Sequence, residues 1–271
     1  MEKAEDILPE VLKNIVVQQR ELPPLECGAA RWVGSWDPGV TFCMGAMHMN
    51  AAGVLGRCPE ARKAEIRARV ESERKRLAGP LAVLALKGGV GFSGFDWSRN
   101  ESAAKALGAM RRFSEGRPPI SGVLLTGPTG LGKTRLLLAS HFALLEAGVN
   151  SEYVTSPALR RLFRDASSFT EEVAETARGQ LDRLVYASAV HADDLGDVED
   201  DQRARGQFAE GIKDLLDRSR AVWAFAVNLS SEEAERHPDL SGKVVSRMQY
   251  GAEIVPMEGS DYRLSTATVL R

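Results

Sequence analysis

Apolar and polar positions alternate with two different periods along this chain. Between residues 4 and 20, Ile7, Leu8, Val11, Leu12, Ile15 and Val16 recur at helical spacing, and Leu22-Pro23-Pro24-Leu25 closes that segment. Residues 59–78 carry Ile66, Val70 and Leu77 on one helical face, within a run of seven Lys/Arg and four Glu, the pattern of a solvated helix. Gly79-Pro80 interrupts it, and the domain boundary is expected there. Beyond it, a helix over 101–113 precedes a sequence of short apolar runs and amphipathic segments. Val123-Leu124-Leu125 reads as a strand and Arg135–Ala147 as an amphipathic helix ending at Gly148. Glu152–Thr155 is a second strand, and Ser156-Pro157 is expected to supply the N-cap and first-turn proline of the next helix. A further helix covers about 170–186, strands follow at 189–193 and 221–227, and a last strand lies near 253–255. Strands alternating with helices in this way build a parallel sheet covered on both faces. The continuous run Ala221–Val227 suits a strand buried on both sides.

Composition narrows the classes little. Of 271 residues, 44% are hydrophobic and 27% charged, which supports a sizeable core. A net charge of −2 excludes a bulk polycation, so nucleic-acid contact would need a local basic patch. The charged start Met1–Asp6 is unlike a signal peptide, no apolar run is long enough to cross a membrane, and the three cysteines are an odd number. A cytoplasmic protein with no membrane partner is expected.

Chemistry concentrates at Gly127-Pro128-Thr129-Gly130-Leu131-Gly132-Lys133-Thr134, placed between a strand and a helix. Glycines let backbone N–H groups close on a polyphosphate, and the helix adds the positive end of its dipole. Lys133 would reach the β- and γ-phosphates of ATP, and the Thr134 hydroxyl would ligate Mg²⁺. About sixty residues on, the strand Ala189–Ala192 ends in Asp193 and Asp194. Asp193 suits Mg²⁺, and Asp194 could orient or deprotonate the attacking water. Asn228, at the end of the next strand, would point into the ligand crevice of such a sheet. Phe92, Phe95 and Trp97 could line an adenine pocket or pack in the core. Cys27, Cys43, His48 and Cys58 are four possible zinc ligands across 27–58, a segment read as irregular, but without a paired C-x-x-C spacing the pattern argues against zinc.

The P-loop, Asp193-Asp194-Leu195-Gly196, Asn228-Leu229-Ser230, Ser246-Arg247-Met248 and Asp261-Tyr262-Arg263, in that order, resemble the DnaC/IstB-type branch of AAA+ ATPases over about residues 90–271. The resemblance implies a three-layer α/β/α domain with a parallel sheet over 81–271, lacking a C-terminal lid. It is preceded by a small, mainly helical or irregular partner-binding region, 1–80. It implies Walker A roles for Lys133 and Thr134, a Walker B role for Asp193 and a catalytic role for Asp194. Asn228 matches sensor 1. Arg247 matches an arginine finger acting on a neighbouring subunit, and hence implies self-association. The function implied is a helicase loader that binds the replicative helicase and single-stranded DNA, with slow hydrolysis. Arg160, Arg161 and Arg164 are the candidates for DNA contact. Trp36-Asp37-Pro38-Gly39 and Cys58-Pro59 resemble remnants of the loaders' zinc module. The alternatives are a transposition helper of IstB type and a nucleotide-gated interaction module with negligible hydrolysis.

Overall fold

The structure, a computed structural model, describes residues 42–44, 47–49, 55–57, 59–79, 91–98, 100–116, 122–195, 202–229 and 252–261. The helix expected at 4–20, Cys27, Trp36–Gly39, Cys58, Gly196, Ser230, Ser246–Met248, Tyr262 and Arg263 lie outside the described residues. The chain divides into two compact units, Met1–Ser72 and Glu73–Arg271.

In the first unit, β1 (Phe42–Met44), β2 (Met47–Met49) and β3 (Leu55–Arg57) form an antiparallel meander in that order. Cys43 stands opposite His48 in the ladder. The sequence reading has this stretch as irregular; three-residue strands are too short for a two-residue period to register. Helix α1 (Pro59–Arg76) follows, at the position its charged pattern predicts, and its last turn, from Glu73 on, belongs to the second unit.

The second unit contains a five-stranded parallel sheet in the order β5-β6-β7-β4-β8. Its strands are β4 (Gly122–Thr126), β5 (Ser151–Thr155), β6 (Ala189–Leu195), β7 (Val222–Val227) and β8 (Ala252–Pro256). Every residue of β4 is buried, as befits an interior strand covered on both faces. Helices α2 (Glu101–Ser114) and α3 (Lys133–Glu146) cover one face. Helices α4 (Ser156–Ala166), α5 (Glu171–Val185) and α6 (Gln202–Arg218) cover the other. The second face packs a continuous hydrophobic cluster. Leu124, Val154, Val190, Ala192, Trp223, Phe225 and Val227 project from alternate positions of four strands onto Leu159, Leu184, Phe208, Ile212 and Leu215. Helix α6 is one that the sequence reading leaves unassigned.

Two local expectations change. Ser156 is the first helical residue of α4 rather than its N-cap, which is Thr155, and the buried Ser156 hydroxyl has no hydrogen-bond partner among the described residues. Helix α3 is buried around most of its circumference rather than half-exposed, Ser140 and His141 included. Its polar positions meet other polar groups. The His141 Nε2 lies 2.9 Å from Glu73 in the last turn of α1, and its Nδ1 lies 2.8 Å from the Ser151 hydroxyl. That hydroxyl lies 3.3 Å from His191 Nδ1, whose other ring nitrogen is 2.9 Å from Ser140 Oγ. With Glu73 ionised, one proton arrangement satisfies the chain: His141 donates to Glu73, Ser151 to His141, His191 to Ser151, and Ser140 to His191. Burial pushes both imidazoles below their ordinary range, so each is neutral and makes one donor and one acceptor contact.

Candidate functional site

Because all five strands run the same way, the segments leaving β4, β6 and β7 emerge at one edge of the sheet, where open α/β sheets take their ligands. There Gly127–Thr134 wraps from β4 into α3. All three of its glycines have positive φ. Gly127 has φ +130°, and a Cβ on it would run into the Met257 carbonyl. Gly132 has φ +91°, and a Cβ there would come within 2.8 Å of the Phe95 ring. Phe95 is therefore a buried brace against the loop, while Trp97, at 56% exposure, faces solvent. The Asp261 carboxylate rests against Gly130. The Lys133 ammonium donates to the carbonyls of Gly127 and Pro128 at 2.7 Å each, which holds it over the loop. Pro128 and Thr129 are exposed and Leu131 is buried, anchoring the loop from below.

The β6 carboxylates sit where the ladder with β7 loses register, between Ala192 and Leu195. This irregularity turns two successive side chains toward the site, as bulges beside active sites do. Asp194 has φ +56°, the one non-glycine residue with positive φ among the described residues. Such a left-handed conformation costs about 1–2 kcal/mol for an ordinary residue, less for Asp.

Asp193 is buried, and each of its oxygens has a fixed donor: the Asp194 N–H to Oδ1 at 2.9 Å and the Tyr153 hydroxyl to Oδ2 at 2.7 Å. The Thr134 hydroxyl hydrogen-bonds to it as well. Burial, reinforced by the Asp194 charge, pushes the Asp193 carboxyl up to about 6 against the pull of these donors. A buried carboxylate raised in this way gains from a cation beside it. Asn228 donates from Nδ2 to Asp194 Oδ1 at 3.1 Å. The residues that follow β7 also tie the site together: Gly127 N–H donates to the Leu229 carbonyl at 2.7 Å.

The structure thus brings together Lys133, Thr134, Asp193, Asp194 and Asn228. Thr134 and the two carboxylates form a set of oxygen donors of the kind Mg²⁺ prefers, and the loop with Lys133 offers N–H groups and a cation to phosphate. Tyr153, which supports Asp193 from behind the site, is a residue that the sequence reading missed. Its signal lies in the strand register, since Tyr153 pairs with His191 and so shares a sheet face with Asp193 two residues on.

The remaining candidates are elsewhere. Arg160, Arg161 and Arg164 lie on α4, on the sheet face opposite α3. The Arg160 guanidinium stacks 4.2 Å over Phe208, Arg161 is exposed, and the exposed Arg164 lies 3.5 Å from Asp165. Among the described residues, no three His, Cys, Asp or Glu side chains group as a metal site, and no helix is long and apolar enough to cross a membrane.

A parallel sheet between two helical layers, with a glycine loop facing paired carboxylates and an asparagine across the strand ends, defines a P-loop ATPase domain of AAA+ type. The model of the IstB-like ATP binding protein family matches residues 68–269, and the chain belongs to that family. The fold is similar to domain III of the Thermotoga maritima replication initiation protein DnaA, with a TM-score of 0.50 and 17% identity over 64% of this chain and 68% of that one. DnaI matches with a TM-score of 0.49 and 23% identity over 63% of this chain and 89% of that one. The replication initiator DnaA bound to AMPPCP and single-stranded DNA matches with a TM-score of 0.49 and 17% identity over 63% of this chain, which spans 50% of that protein. The sequence matches no curated protein.

Proposed function

We propose that this ATPase is a helicase loader: it binds Mg²⁺ and ATP at Gly127–Thr134, contacts the replicative DNA helicase, and assists its loading on single-stranded DNA. The observation that carries the catalytic half is the meeting of Lys133, Thr134, Asp193, Asp194 and Asn228 at one edge of the sheet. Lys133 and the loop N–H groups would hold the β- and γ-phosphates. Thr134 and Asp193 would hold Mg²⁺, which supplies charge neutralisation on the phosphate oxygens. Asn228 holds the Asp194 carboxylate, and the pair would position the attacking water.

Hydrolysis is expected to be slow, because Asp194 is short, is held in a left-handed backbone and already accepts a bond from Asn228. Arg247 would complete the site of a neighbouring subunit, which makes self-association part of turnover. Residues 1–80 would grip the helicase. Arg161 and Arg164, rather than the stacked Arg160, are the better placed for a DNA backbone.

The description of the matching family as IstB-like favours a second reading, in which the same ATPase core serves a transposase on duplex DNA. Capture of partners from the host by the full chain with ATP decides between them. Retention of a hexameric helicase, with turnover raised by single-stranded DNA, supports the loader. Retention of a transposase, with turnover raised by duplex, replaces it. Nucleotide binding without turnover under either condition leaves the nucleotide-gated module.

A further inference from the structure

Asp193 can serve a cation only if its carboxylate keeps one orientation. Three donors set that orientation, and two of them, the Asp194 N–H and the Thr134 hydroxyl, come from residues already placed in the site. The third is the Tyr153 phenol, 2.7 Å from Oδ2 and buried with it. Tyr153 belongs to β5, one of the two edge strands of the five-stranded sheet, three strands from β4, which leads into the phosphate loop. A phenol hydroxyl carries its proton at neutral pH, and a carboxylate oxygen only accepts, so the Tyr153 hydroxyl is the donor of this bond. Its backbone is held too. The Tyr153 carbonyl accepts from Arg76 Nη2 at 2.8 Å, and that guanidinium is fixed in turn by Glu73, 2.7 Å from Nε. The phenol is thus anchored at both ends of its residue.

We infer that Tyr153 is a positioning residue for the cation carboxylate: by fixing Oδ2, it keeps the rest of Asp193 aimed at Thr134 and so sets the concentration at which Mg²⁺ supports nucleotide binding. The inference rests on the reading of Gly127–Thr134 and Asp193 as a Mg²⁺-ATP site. Tyr153 touches neither nucleotide nor reacting atoms, and its effect passes entirely through Asp193. Removing the phenol leaves the loop, Lys133 and the glycines as they are, so nucleotide affinity without divalent cation is unaffected. Only the cation-dependent part moves.

The test uses the full chain, a fluorescent ATP analogue and Mg²⁺ titrations, with steady-state turnover measured alongside. Tyr153→Phe is expected to raise the Mg²⁺ concentration for half-maximal analogue binding about three- to tenfold, the range for loss of one orienting hydrogen bond. Affinity in EDTA and kcat at saturating Mg²⁺ should stay within about twofold of the parent, since only the carboxylate's hold on the cation has changed. Tyr153→Met, a second replacement without the phenol, should shift the same midpoint. Val154→Ala, one residue away on the opposite face, is the control for general loosening: it should lower the melting temperature and leave the midpoint in place. An unchanged Mg²⁺ midpoint in both Tyr153 variants, or an equal shift in Val154→Ala, overturns the positioning role while leaving the ATP site standing. If the parent protein binds the analogue no better than Lys133→Ala does, the underlying site reading fails, and the inference with it.

Discussion

Replacing Glu73 by Gln tests how the first residues of the second unit, Glu73 and Arg76, are held within it. Glu73 is 12% exposed and faces two groups at once, with Oε1 2.9 Å from His141 Nε2 and Oε2 2.7 Å from Arg76 Nε. Burial alone would push its carboxyl up, but the hydrogen bonds from Arg76 and His141, with the Arg76 charge, outweigh this and hold it at about 2, against 4.5 for the free group. At about 1.4 kcal/mol per unit, linkage puts the ionised carboxylate's contribution at no more than about 3 kcal/mol. Arg76 is 47% exposed and regains water when unpaired, so a loss of about 2 kcal/mol is expected at pH 7. The sign follows from the depressed value: the contribution is complete above 4.5 and disappears as pH falls from 4.5 toward 2. Urea unfolding followed by tryptophan fluorescence, with buried Trp223 as reporter, measures both proteins at pH 7, 5 and 3.5. The gap between them should be nearly constant from pH 7 to 5 and smaller by about a third or more at pH 3.5. A gap under about 0.5 kcal/mol at pH 7, the level of an ordinary surface substitution, would refute the buried latch, as would one that persists unchanged at pH 3.5.

Lys133→Ala should abolish nucleotide binding, read by equilibrium titration, while leaving the melting temperature of nucleotide-free protein within a few degrees. Asp194→Gly should separate stability from activity: it relieves the left-handed backbone, adding up to about 1 kcal/mol in chemical denaturation, yet removes the carboxylate and with it turnover. Phe225→Ala, at 2% exposure between the sheet and α6, should cost about 3–5 kcal/mol in the same denaturation assay. Arg247→Ala should leave nucleotide binding by a single subunit intact and remove hydrolysis in the assembly; unchanged turnover at high protein concentration would show that Arg247 is no finger.

What was legible in the sequence was whatever neighbouring residues specify among themselves. The loop Gly127–Thr134, the apolar run of β7 and the alternation of strands with helices are local patterns, and they led to the right parallel sheet; the AAA+ class came from the resemblance carried by Asp193-Asp194-Leu195-Gly196, Asn228-Leu229-Ser230 and Ser246-Arg247-Met248. Helix α6 carries Phe208, Ile212 and Leu215 at helical spacing, a signal as plain as that of α2, but no motif falls on it. The amphipathic expectation for α3 failed for a different reason. Ser140 and His141 are polar positions of that helix, and their partners, His191, Ser151 and Glu73, lie 10 to 68 positions away, out of reach of a local pattern.

The site divides along the same line. Residue types and spacing by themselves determined that a phosphate loop, two successive carboxylates and a strand-end asparagine are present, because each is bound to one strand end and parallel strands share an edge. Only the tertiary structure decided how the carboxylates are aimed. The loss of register after Ala192, the left-handed Asp194 and the Tyr153 phenol on Asp193 all depend on which residue of β6 lies beside which residue of β5 and β7. Strand register is settled by packing across the whole sheet, and a shift of one position would turn Tyr153 away from Asp193 and onto the opposite face.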